Sequence, residues 1–117
     1  MEAWRKMYLS NRSVQITEQR SILSLALEAI PPDGPAIAFT LEVQSPFLDR
    51  EMQWRCVVLM GDFQRPLRIA GGDPFQALCL AIDYARWTLR DFEESGGRLI
   101  CEGDRFPLEA YFFKAPE

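Results

Sequence analysis

The sequence contains no histidine. That absence removes Ser-His and Cys-His nucleophile pairs, histidine-ligated metals and imidazole acid/base chemistry in one stroke. Carboxylate and lysine chemistry stay open. Cysteine is scarce: Cys56, Cys79 and Cys101 are three, widely spaced, each inside an apolar or regular segment. They form no CxxC and no zinc spacing, so they read as reduced, buried thiols of a reducing cytoplasm. No apolar run reaches membrane-spanning length, and the first residues lack the apolar stretch and cleavage site of a signal peptide. The expectation is a cytoplasmic chain with no membrane partner. Positive charge is also in short supply, with 13 Lys and Arg against 17 Asp and Glu, a net charge of −4. The basic residues are scattered, so nothing drives counterion release from nucleic acid, and none is expected as a partner. A basic protein suits this balance better.

What is present describes one domain, 1–117, with 48% hydrophobic and 26% charged residues. A chain of this size can bury a single core. Residues 1–12 form a mixed lead-in in which Trp4, Met7 and Tyr8 share the spacing of one helix face. They suit either a docking arm or a loose terminus. Leu23, Leu25 and Leu27 then alternate with Ser24, Ala26 and Glu28, which is strand periodicity, and Pro31-Pro32 with Asp33-Gly34-Pro35 makes a turn. The alternation of Ile37, Phe39, Leu41 and Val43 with polar or small residues predicts the clearest strand. A polar loop is expected from Ser45 to Glu51. Gln53–Met60 reads as a third strand, with Trp54, Cys56 and Val58 on one face. Leu67 and Ile69 mark a short fourth, which Pro66 confines to an edge or a strand start. Arg98–Cys101 predicts a fifth strand, and Phe106–Phe113 fits a helix or an aromatic strand equally.

Between Leu67 and Arg98 lies the most legible element, Gly71–Gly97. Asp73 stands at an N-cap position, Pro74 at the first helical position and Gln76 three residues after the cap. Ser95-Gly96-Gly97 closes the far end. At about 100° per residue, Phe75, Leu78, Ile82, Ala85, Leu89 and Phe92 fall on one stripe, expected to seat on the sheet. Leu80, Tyr84 and Trp87 fall roughly opposite its centre, joined to it through Ala77, Ala81 and Thr88. Two readings follow for those three residues: a partner surface, or a second buried side beneath the C-terminal FPLEAYFF segment.

The remaining motifs are weaker. Gly71-Gly72 before a helix invites a phosphate-loop reading, but Asp73 places negative charge where a phosphate would sit, and a turn with a cap accounts for it. The carboxylates Glu93, Glu94, Asp104 and Glu109 have no spacing that holds two on one buried face. Trp54-x-Cys56 lacks a basic neighbour on its own face and reads as core packing.

Trp54-Arg55-Cys56, the Gly61 turn and Gly72-Asp73-Pro74-Phe75-Gln76-Ala77-Leu78-Cys79-Leu80-Ala81 together resemble a family of small bacterial proteins carrying a domain of unknown function. The shared pattern is W-x-C on a strand, followed by G-x-D-x-x-Q-A-L-x-L-A opening a long helix. The similarity spans about Arg20 to Gly103. It implies a bacterial cytoplasmic single domain and supplies no catalytic residue. The expectation is therefore an α+β fold, an antiparallel meander sheet of four to six strands with one long helix, about 74–95, packed on one face. Its expected role is a non-enzymatic protein-interaction module using Leu80, Tyr84 and Trp87, toward another copy or a partner protein. An immunity-type inhibitor is one version, by analogy of build alone. A small-molecule-binding or enzymatic domain with a pocket between helix and sheet is the alternative, and no cofactor is implied.

Overall fold

A computed structural model describes residues 20–112 of the chain. Trp4, Met7 and Tyr8 of the lead-in lie outside the described residues. The alternating segments form the expected strands: β1 (Ser21–Ile30), β2 (Ile37–Gln44), β4 (Trp54–Met60), β5 (Gln64–Gly71) and β6 (Arg98–Cys101). Two short strands complete a sheet of seven, β3 (Phe47–Leu48) and β7 (Asp104–Arg105). The helix α1 (Pro74–Glu94) sits between β5 and β6 in the chain.

All pairings are antiparallel. The strands run β5-β4-β2-β1-β6-β7 across the sheet, with β3 pairing to the start of β4. The order from β1 to β5 is the expected meander. The connection through α1 then crosses the sheet, so that β6 lies beside β1 instead of beside β5. Among the described residues β5 pairs only with β4, and Pro66 therefore stands on an edge strand, where its missing N–H breaks no ladder.

The loop expected to be polar from Ser45 to Glu51 carries β3, whose Phe47 and Leu48 are both buried. Asp49 shapes the turn that follows. Its carboxylate accepts from the Glu51 and Gln53 amides and from Arg55 Nε at 3.0 Å. The Phe106–Phe113 ambiguity resolves, over the described residues, toward the proline-started helix in a short form. Pro107 starts a 3-10 turn over Leu108–Tyr111, and Leu108 is buried.

Both ends of α1 form as the sequence marks them. Asp73 accepts from the Gln76 amide at 2.8 Å, and the Gly72 amide donates to Gln76 Oε1 at 2.6 Å. This reciprocal pair satisfies amides that the first helical turn would leave orphaned. At the far end the Gly97 amide donates to the Phe92 carbonyl and the Gly96 amide to the Glu93 carbonyl. Gly96 has φ of +101°, the left-handed state this termination requires. The core lies between α1 and one sheet face, where Leu27, Ala29, Phe39, Leu41, Val43, Cys56, Val58, Met60 and Leu99 meet the helix. Phe92 meets Phe63 edge-on, and Phe63 stacks on Phe39. Among the described residues no helix is long and apolar enough to cross a membrane.

Candidate protein-interaction surface

The helix seats on the sheet along a narrower line than its apolar pattern suggests. Its buried residues are Ala77, Ala81, Ala85 and Leu89, four positions repeating every fourth residue. Methyl-sized side chains allow the helix backbone to lie close to the strands, and the start of α1 shows how close. A Cβ built on Gly71, the last residue of β5, would lie 2.5 Å from the Ala77 amide nitrogen.

This seam keeps part of the expected stripe, since Ala85 and Leu89 are buried and Leu78 and Phe92 pack against the core, and corrects the rest. Phe75 is 75% exposed and Ile82 41% exposed, although both were assigned to the sheet-facing side. The reason is steric. Once alanines occupy the line of closest approach, larger residues are displaced to its two sides. Leu80, Tyr84 and Trp87 lie to one side of this seam, with Trp87 about 160° around the helix from Leu89. Phe75, Leu78 and Ile82 flank it on the other. What the sequence shows as the small joint between two apolar sides is the contact itself.

On the first flank, Leu80 is 41% and Trp87 51% exposed, and Tyr84 is half-buried against the core. The C-terminal segment reaches this flank through Phe112, and Phe113 lies outside the described residues. The Phe112 ring meets the Trp87 indole edge-on at 5.3 Å, and the Arg90 guanidinium lies 5.1 Å from each ring. The indole thus meets Phe112 and Arg90 and is otherwise half exposed. Arg90 also pairs with Glu94 at 3.5 Å.

On the second flank an open cavity of about 340 Å³ lies between α1 and the first strands. Ile22, Leu23 and Leu25 of β1 form one wall, Leu78 and Ile82 the other, and Tyr111 stands at its end. The pairing of β1 with β2 slips between Ser21 and Leu23, leaving Ile22 as an extra residue. Such a bulge breaks the alternation of sides, so that Ile22 and Leu23 both line the cavity. Arg86 is the one charged lining residue. Its two terminal nitrogens are engaged, one pairing with Asp83 and the other donating to the Tyr111 carbonyl at 3.0 Å, and the guanidinium lies over the Phe112 ring, while Nε is buried with no hydrogen-bond partner among the described residues. Alternation alone puts Leu23 on a wall. Neither Ile22 nor Tyr111 carries a sequence signal for this position.

The other candidate groups are dispersed. Burial pushes the Cys56 thiol above its ordinary pKa, and Cys56 donates to the Gln44 carbonyl at 3.3 Å, which describes an inert core thiol. Cys79 is exposed, Cys101 is half-buried and all three are unpaired. Glu109 forms a two-pronged pair with Arg105 at 2.8 and 2.9 Å, and that hydrogen bonding holds its carboxyl below the usual range. Gly71-Gly72-Asp73 is the turn and cap described above. No group of three His, Cys, Asp or Glu among the described residues is placed to hold a metal ion. No family profile, curated protein or solved structure matches this chain.

Proposed function

We propose that this chain is a non-enzymatic interaction module that binds a basic protein partner through the Leu80, Tyr84 and Trp87 flank of α1. The observation that carries this reading is the exposure of Trp87 and Leu80 in the folded chain, with an aromatic and an aliphatic anchor side by side. Tryptophan and tyrosine dominate binding energy where a partner desolvates them. The surroundings favour positive charge. Asp83 lies three residues from Leu80 and four from Trp87, and Asp91 follows Trp87 by four, so a carboxylate borders the patch on each side. Asp83 is paired with Arg86 and Arg90 lies over Trp87, so the preference for a basic partner rests on Asp91 and on the net charge of −4. That net charge also weighs against nucleic acid as the ligand.

An immunity-type inhibitor of a basic toxin is one form this role takes. Three unpaired thiols suit a reducing cytoplasm. The resemblance of 54–56 and 72–81 to small bacterial domains of unknown function agrees with it. The alternative, a pocket between helix and sheet serving a small molecule, has its cavity in the second flank. That cavity is walled by hydrocarbon apart from Arg86, whose Nε is its one buried unpaired donor, and a single donor is less than the set of convergent polar groups that orients a substrate. The test is titration calorimetry of wild type, Trp87→Ala and Leu80→Ala against candidate basic protein partners. A loss of at least 30-fold in affinity for Trp87→Ala, with folding retained, is the expected result. Equal binding by wild type and both variants would overturn it, as would a wild type that binds nothing and stays monomeric in light scattering.

A further inference from the structure

β1 is only partly paired. β6 pairs with its last three residues, Glu28, Ala29 and Ile30, and Cys101 Sγ reaches the Ala26 carbonyl at 3.6 Å. Along Ser21–Leu25 the strand is paired to β2 on one side, and among the described residues no strand lies on the other. Main-chain groups on an open edge are a template for a further strand. β5 blunts its own edge with Pro66 and the nearby Arg65 and Arg68, whereas Ser21–Leu25 has neither charge nor proline. Its bulge at Ile22 instead gathers Ile22 and Leu23, both exposed, beside the exposed Ile82 and Tyr111 at the cavity. Opposite charges stand at the two ends of this run. Arg20 precedes it, and past its far end Ala26, Glu28 and Glu102 line a notch. Arg20, Glu28 and Glu102 enter no ion pair among the described residues.

We propose that this edge is where two copies of the chain join, their β1 strands antiparallel across a two-fold axis at Leu23. In that register each open run lies along the other. Arg20 of one copy then falls opposite Ala26 of the other, at the notch that holds Glu28 and Glu102. A parallel pairing would set Arg20 beside Arg20, away from the notch. The charges thus select a second copy in one direction. The same contact brings Ile22 and Leu23 of the two copies together and withdraws exposed hydrocarbon from water. A two-fold pairing uses up both open edges, so the association stops at two. The inference concerns β1 and is independent of the partner proposed for α1.

Light scattering of the full chain across a concentration series tests it, with hydrogen exchange to locate the contact. Wild type is expected to reach the mass of two chains, and amide exchange in Ser21–Leu25 to slow as it does so. Arg20→Glu and Glu102→Lys are each expected to weaken the dimer about ten-fold, since each acts twice across the axis and sets like charges together. The double variant Arg20→Glu/Glu102→Lys is expected to regain wild-type association. Trp87→Ala is expected to dimerise as wild type does, which separates this edge from the α1 flank. Circular dichroism verifies that each variant keeps the fold. A wild type still monomeric at about 1 mM overturns the proposal. So does a dimer whose Ser21–Leu25 amides exchange as in the monomer, or one that neither single charge variant weakens.

Discussion

Gly71 and Ala77 approach so closely that a single methyl group on the glycine would overlap the alanine's backbone nitrogen. The end of β5 and the first turn of α1 are held together without any side chain between them. Gly71→Ala cannot be absorbed by a rotamer change, because the atoms in the way are main chain. A loss of about 2–4 kcal/mol is expected, in the range of overpacked sites. Urea unfolding of the two proteins measures it.

The alanine seam makes an opposed pair of expectations. Ala81→Leu inserts bulk where helix and sheet touch and is expected to cost about 1–3 kcal/mol. Phe75→Ser alters a large apolar residue that is mostly exposed and is expected to stay within about 0.5 kcal/mol of wild type. A helix seated on the Phe75–Phe92 stripe would give the reverse ranking.

Trp87 is partly packed, and its stability cost has a definite expected size. Its packed edge against Phe112 and the Arg90 contact give Trp87→Ala an expected cost of about 1 kcal/mol. A fully buried tryptophan would cost about 3–5 kcal/mol. Thermal denaturation that shows the larger loss would move the indole from the surface into the core.

Asp49 gives the chain a pH dependence with a definite sign. Partial burial raises its carboxyl, but the Gln53 amide, the Arg55 side chain and the Glu51 amide outweigh that and hold it below the ordinary aspartate value. A depressed carboxyl stabilises fully above its unfolded pKa, about 3.9, and loses that contribution as pH falls through the folded value. The stability gap between wild type and Asp49→Asn is therefore expected to be constant at pH 6 to 7 and to close below about pH 4. Denaturant titrations at stepped pH would show it.

The cap of α1 is the simplest case. Asp73→Ala removes the acceptor for the Gln76 amide and is expected to cost about 1 kcal/mol, whereas Asp73→Asn retains most of it.

Local chemistry was legible and long-range geometry was not. Asp73, Pro74, Gln76 and Gly96 act within one turn of themselves, so their sequence spacing defines the structure they make. The alternation of Phe39, Leu41 and Val43 likewise names the buried face of β2, and Pro66 places β5 on an edge. The seat of the helix depends instead on which residues the strands can approach most closely. Hydrophobicity ranks Phe75 and Ile82 above Ala77 and Ala81, but contact distance ranks them the other way. Ile22 escaped for a related reason. A bulge is a property of two strands in register, and neither strand announces it alone. β3 was hidden because Phe47-Leu48 is too short a run to show any period. Leu80 and Trp87 were identifiable as apolar and off the main stripe, but only the position of Phe112 shows how much of the indole its own chain covers.

β5 has a further consequence for how this protein behaves in crowded solution. A sheet with an unpaired border is a template onto which identical chains can add, layer by layer, into fibrils. Here that border exposes Pro66, which offers no hydrogen, between the charged heads of Arg65 and Arg68. Strand-by-strand polymerisation is thereby discouraged along this margin of the sheet.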